Sequence, residues 1–325
     1  MVKQMNDVID FAQLYAETLV QLGVKNKSVI VVDSDLPDSC GTEAFGKAFP
    51  DRSWDIGVAE QNLPLVSAGL AISGLIPIYN SFAVFAVHRG IDMIRQSIAY
   101  NKTNVKIVGH AAGQSMGYTG PSHHTLEDIA VLRAIPGIMI LQPSDGKELE
   151  QMMHFMIDYE GSVYLRIPRI AVPNYHSKEW TFRYGEPEVV SNGNDVTVFA
   201  TGELVSEFLQ MKDQIEKELN LSICLVNVAT LKPINTEKLI QLGKDTIGAV
   251  TLEDHNRIGG LGSLIAETYA EHLLKPVKRI GINDTFTESA DGKILREKYG
   301  MSYDAICNAI ATTLDIKQKD LFRNQ

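Results

Sequence analysis

Between Glu60 and His88 the chain carries no Asp, Glu, Lys, Arg or His, so one carboxylate stands at the entrance to a long apolar run. A desolvated carboxylate needs a partner, and with no Lys or Arg nearby in sequence one candidate is the ring nitrogen of a heteroaromatic ligand that shares a proton with it. The plain alternative is an acid favoured by the dipole of the helix that "EQNLPLVSAGLAISG" opens. Phe82, Phe85 and His88 follow at helical spacing. Such phenylalanines are usually core, yet these lie past the end of a predicted strand, where open α/β sheets bind ligands and where a ring would want an aromatic platform. A third segment, "GHAAGQSMGYTGPSHHTLEDIAVLRAIPG" (109–137), sets His110, His123 and His124 among glycines ahead of a patterned helix, with Ser122 or Thr125 as its cap. Histidines in such a loop suit hydroxyl or phosphate recognition and proton transfer near neutral pH. A zinc site is the metal alternative, but no fourth ligand has supporting spacing. Arg166 in "VYLRIPR" ends a predicted strand and reads either as a phosphate anchor, with Arg169 as its solvent-facing rival, or as one half of a surface salt bridge.

The elements that must position these residues form two series. Val- and Ile-rich runs at 28–35, 75–82, 104–113, 137–145 and 162–168 have the look of strands buried on both faces of a parallel sheet, with helices as cover. "DFAQLYAETLVQLG" carries an apolar helical stripe through Phe11, Leu14, Tyr15, Leu19 and Leu22, with Gly23 as the expected stop. The pattern loosens from Pro168 to about Gly193, then a second α/β series begins with strands at 195–202, 222–233, 247–254 and 277–283. The expected layout is a first α/β domain over 1–172, a linker over 173–193 and a smaller α/β domain over 194–325 that ends in a frayed tail. "IGGLGSLIAETYAE" (258–271) reads either as a phosphate-binding turn or as tight strand-to-helix packing.

The formal charge of −10 and pI near 5.3 exclude a surface built for nucleic acid or an anionic membrane, so any anionic ligand must meet a local positive site. Cys40, Cys224 and Cys307 lie far apart without metal-ligand spacing, and read as reduced thiols of a cytoplasmic protein. The N-terminus lacks the features of a signal or transit peptide. The 62–87 run is long enough to span a bilayer, but Asn62, Pro64, Pro77 and Asn80 interrupt it, so a buried helix, turn, strand and second helix start are expected.

"DIGVAEQN", "SFAVFAVHRGIDMIRQSIAY", "GPSHH", "LEDIAVLRAIPG", "QPSD" and "LRIPR", in this order and spacing, resemble the C-terminal half of transketolase and of 1-deoxyxylulose-5-phosphate synthase, over nearly the whole chain. The resemblance implies a pyrimidine-binding domain followed by the family's C-terminal domain, and a transferase that uses thiamine diphosphate and magnesium. It places Glu60 on the glutamate that hydrogen-bonds the cofactor's pyrimidine ring and promotes its imino tautomer. Phe82 and Phe85 fall on the aromatic pair around that ring, and His88 where a tyrosine often stands near the cofactor. His123 matches the histidine that contacts substrate oxygens at the reacting carbons, His110 the histidine near the sugar and its phosphate, and Arg166 the phosphate-binding arginine.

Two positions depart from the pattern: Thr119 stands for an aspartate that reads a sugar hydroxyl, and Gln13 for a first-helix arginine. A neutral hydroxyl cannot accept as a carboxylate does, so an atypical or branched ketose phosphate, such as apulose 4-phosphate, fits the expected donor. The Gly-Asp-Gly motif that holds diphosphate and metal is absent. The expectation is therefore one subunit of a split transketolase, with the magnesium ligands on an N-terminal partner subunit and two chains of each kind in a cytoplasmic heterotetramer. The alternatives are the β subunit of a 2-oxo acid dehydrogenase, against which "GPSHH" argues, and a non-catalytic partner.

Overall fold

Val29–Asp33 is buried at all five positions, which only a strand covered on both faces permits. The computed structural model describes residues 7–314; the expected C-terminal tail lies outside them. The strands are β1 Val8–Asp10, β2 Val29–Asp33, β3 Ser53–Asp55, β4 Ile76–Phe82, β5 Lys106–His110, β6 Ile138–Leu141 and β7 Ser162–Arg166, then β8 Ala171–Pro173, β9 Glu188–Ser191, β10 Val196–Ala200, β11 Ile223–Asn227, β12 Thr230–Lys232, β13 Gly248–Asn256 and β14 Val277–Ile282.

The first sheet runs β12-β6-β7-β5-β4-β2-β3, parallel except for β12, and the second runs β14-β13-β10-β11-β9, parallel except for β9. Both are the α/β layers the sequence implies. The apolar run 222–233, expected as one strand, breaks after Asn227, and its second piece crosses to the edge of the first sheet. Lys232 fixes that crossing by donating to the carbonyls of Leu132, Arg133 and Ile135 at the end of the helix Asp128–Arg133. One apolar cluster then extends from Tyr79 through Ile129 and Leu132 to Phe199, Leu261 and Ile265, so the two sheets share core.

The helix Phe11–Lys25 is capped by Asp10 and passes through Gly23, which therefore does not stop it. A Cβ at Gly23 would lie 2.5 Å from the Phe45 ring, so glycine there serves helix packing. The run after Glu60 folds as the helix Asn62–Ile72, a turn, β4, and helical turns from Phe85 to Tyr100 that include π-turns. Neither Ser122 nor Thr125 caps the next helix, which starts at Asp128. Among the described residues no helix is long and apolar enough to cross a membrane.

The stretch read as a linker holds defined structure. β9 joins the second sheet, and the His176 ring stacks on Trp180 at 3.8 Å with its nitrogens 3.0 Å from Asp145 and 2.8 Å from Glu188. The scattered aromatics form no element of their own: Phe182 and Tyr184 pack on Phe155 of the helix Gly146–Asp158. Burial alone would lower the His176 pKa, but the hydrogen bonds to Asp145 and Glu188 outweigh it and push it up to about 9. Beside it, burial pushes Glu148 up to about 7.

An unfolded histidine titrates near 6.5, so the stability His176 contributes is fully present below about pH 6.5 and is lost as pH rises through about 9. Urea unfolding midpoints should therefore fall across this window, by on the order of 3 kcal/mol in stability, and the His176→Gln variant should lose most of that dependence.

Candidate active site

The chemistry-bearing side chains gather where the parallel strands of the first sheet end. Asp33 closes β2, Phe82 closes β4 and His110 closes β5. β2 is flanked by β3 on one side and β4 on the other, so chain direction reverses across it, and open α/β sheets form ligand crevices at such a point.

Glu60 sits in the turn ahead of the helix Asn62–Ile72 and is almost fully buried. Its Oε2 accepts from Arg89 Nη1 at 3.1 Å, and the same guanidinium lies 4.6 Å from the centre of the Phe85 ring. Arg89 was missed in the sequence because it stands 29 residues from Glu60; β4 and the turn after it bring the two together. Phe82 and Phe85 lie 6.1 Å apart, and His123 packs edge-on against both, at 6.1 and 5.3 Å. Phe82 belongs to β4, so the pair is assembled by a strand end and a helical turn rather than by one helix face. His88 turns aside to Glu127, 3.3 Å away, and the hydrogen bond to that carboxylate raises its pKa.

His110 is buried against Tyr15, ring centres 4.7 Å apart. Asn80 Oδ1 accepts from Tyr15 Oη at 2.5 Å and stands 3.1 Å from His110 Nε2. A carbonyl oxygen has no proton to give, so Nε2 carries the hydrogen and Nδ1 keeps a lone pair. Burial and then the Arg169 charge lower the His110 pKa to about 3, which leaves the ring neutral. His110 is thus a poor phosphate anchor and a good acceptor for a hydroxyl. Cys40 is fully buried beside Phe82 and Ala111, and burial pushes its thiol well up. The three histidines of the loop turn to separate partners: His110 to Asn80, His123 to Ser122 at 2.9 Å, and His124 to Thr287 at 2.7 Å.

Arg166 corrects the sequence expectation. Its side chain is 1% exposed, Nε donates to Asp128 Oδ2 at 2.9 Å, and Nη2 donates to the carbonyls of Thr125 and Asp254 at 3.1 and 3.0 Å. With those three donors committed inside the protein, Arg166 serves as a structural cation. Arg169, three residues on, is exposed, and its charge reaches both His110 and Cys40. Gln13 is exposed and donates to Glu17, and Thr119 is exposed with its hydroxyl donating to Met116 O at 3.0 Å. The glycine-rich turn at 258–262 also resolves. The Glu253 side chain accepts from the amides of Leu261 and Gly262 at 2.7 and 2.8 Å, so the first amides of the helix Leu261–His272 already have their acceptor.

A buried carboxylate tied through Arg89 to one ring of an aromatic pair, with a histidine against both rings, thus lies at the carboxyl ends of a parallel sheet, where such sheets bind ligands. Two family models match the chain, "Transketolase, pyrimidine binding domain" over residues 7–174 and "Transketolase, C-terminal domain" over residues 185–306. It is 42% identical to a "putative transketolase C-terminal section" of Methanocaldococcus jannaschii, over 91% of this chain and 93% of that one. It is 32% identical to one subunit of the apulose-4-phosphate transketolase of Phocaeicola vulgatus, over 97% and 99%. A solved structure described as "split gene transketolase, inactive beta4 tetramer" superposes with a TM-score of 0.87 at 38% identity, over 95% of this chain and all of that one. The chain belongs to the transketolase family, which is thiamine diphosphate-dependent.

Replacing Arg166 by Met leaves Asp128 buried without its cation, and urea denaturation should show a loss of about 3–5 kcal/mol. Arg169→Met, at an exposed position, should stay within about 0.5 kcal/mol of wild type.

Proposed function

We propose that the chain is the C-terminal subunit of a two-subunit transketolase, moving a two-carbon ketol unit between sugar phosphates. The observation that carries this reading is the contact set of Glu60, Arg89, Phe85 and His123: Arg89 and His123 lie against the same ring, and Arg89 holds the buried Glu60 carboxylate beside it. The family relation and the names of the relatives support it. So does the coverage, since those relatives are called a C-terminal section and a transketolase subunit, and both are matched over nearly all of their length. We read residues 1–172 as the pyrimidine-binding domain, 173–193 as the connection and 194–325 as the C-terminal domain. The diphosphate and magnesium sites belong to an N-terminal partner subunit, with two chains of each kind in the assembly.

The residues present suit thiamine diphosphate. Glu60 offers a desolvated carboxylate, and Phe82 and Phe85 offer a platform. When bound, thiamine diphosphate supplies the electron sink for the bond pair released as the ketose C–C bond breaks. Glu60 would hydrogen-bond the pyrimidine ring of that cofactor, with Arg89 orienting the carboxylate. Phe85 would shield that contact from water. His123 holds the oxygen substituents at the reacting carbons through its ring N–H. His110 accepts a hydrogen bond from a substrate hydroxyl at Nδ1, and Arg169, in place of Arg166, pairs with the phosphate. His88 steadies the rim through Glu127. Thr119 lies at the mouth as a neutral reader of a sugar hydroxyl, which favours an atypical or branched ketose phosphate as donor.

Ketol transfer should appear only when this chain is mixed with its N-terminal partner, thiamine diphosphate and magnesium, assayed over linear and branched ketose phosphates. Glu60→Ala should cut that activity by roughly 10²–10⁴-fold with the fold intact by circular dichroism. Near-normal turnover would sink the assignment of Glu60.

A further inference from the structure

Four hydrogen bonds tie the loop that carries Thr119 and His123 to the second half of the chain. Gln114 N–H donates to Asp254 Oδ2 at 2.8 Å, and Asn256 N–H donates to Leu126 O at 2.8 Å. His124 lies between its own loop and the second half, with Nε2 3.1 Å from Gly117 O and Nδ1 2.7 Å from Thr287 Oγ1. The Gly117 carbonyl can only accept, so Nε2 donates and Nδ1 accepts from the Thr287 hydroxyl. Ser289 Oγ donates to Tyr118 O. Two glycines permit the approach: a Cβ at Gly113 would lie 2.3 Å from Asp254 Oδ2, and one at Gly117 would lie 2.9 Å from Ala290 O, both at positive φ.

The place of these contacts in the second sheet is informative. β10 is flanked by β11 on one side and β13 on the other, so the reversal of chain direction, where such a sheet would receive its own ligand, lies at the carboxyl ends of β10 and β13. Asp254, His255 and Asn256 are the last residues of β13. That end of β13 receives the histidine loop of the first half.

We propose that the second half acts as a clamp on the substrate loop, with Asp254 and Thr287 as positioning residues for His123. The proposal deepens the transketolase reading and rests on it for the kinetic part alone. Thr287 reaches neither Phe82 nor Phe85; it acts through His124, whose ring is fixed in one tautomer and ties Gly117 to the segment 284–292. Once Thr287 is lost, the loop should fray while the carboxylate and aromatic platform of the cofactor site stay in place.

The test has two arms, each on the full chain. In hydrogen–deuterium exchange on this chain alone, Thr287→Val should speed exchange of the amides in 113–125 by about tenfold and leave β5 and β13 unchanged. In the assembly with the N-terminal partner, Thr287→Val should raise KM for the ketose phosphate by about tenfold with thiamine diphosphate affinity unchanged, and Thr287→Ser should restore both readouts. Unchanged loop exchange overturns the clamp, as does an equal loss of cofactor affinity. An inactive wild-type assembly would count against the transketolase reading, while the exchange arm would still decide the clamp.

Discussion

The structure depends on one buried guanidinium. Arg166, at the end of β7, binds the Asp128 carboxylate of the first half, a carbonyl of the histidine loop and a carbonyl of β13. Its three partners lie on three different elements, so the charge can be compensated only when all three are in register. Burial alone would raise the Asp128 carboxyl, but Arg166 and then His255 and Tyr164 hold it below its usual range. A buried pair of this kind contributes little net stability compared with apolar packing, but it penalises every arrangement in which one member is misplaced. Here it makes the joint between the two halves specific.

The active site inherits its shape from that joint. Strand ends of the first sheet supply Phe82 and His110, the turn before the helix Asn62–Ile72 supplies Glu60, and the long loop supplies His123. Strands fix the first two within a hydrogen-bonded ladder. The loop has no ladder to hold it, so its geometry depends on glycines at positive φ and on hydrogen bonds donated and accepted by Asp254, Asn256 and Thr287. The site therefore divides into a rigid cofactor side and a substrate side whose order is supplied from the second half.

Much of this was legible in the residues. Buried strands announce themselves as Val- and Ile-rich runs, and β2, β4, β5, β6, β7, β10 and β14 fall inside the stretches read for them, while β13 runs two residues past its own. Phe82, Phe85 and His123 were singled out by type and position, and the structure brings them into contact. Arg89 was illegible because pairing across 29 residues depends on the return of the chain through β4. Arg166 was misread because an arginine at a strand end looks the same whether its neighbours are solvent or a second sheet. The short strands β1, β3, β8 and β9 carry no apolar period, being edges or paired in twos, and the stretch 222–233 gives no sign that its halves serve different sheets.

That division of 222–233 bears on how the chain reaches its native state. β6 would be an edge of the first sheet, with a row of unpaired backbone groups open to any other strand, until β12 lies down beside it. β12 is made some ninety residues after β6, so during synthesis the first sheet is complete in its parallel strands yet still adhesive along one side. Segments that expose a strand edge in this way are prone to pair with other chains. The second half thus covers, within its first forty residues, the edge that the first would otherwise leave open.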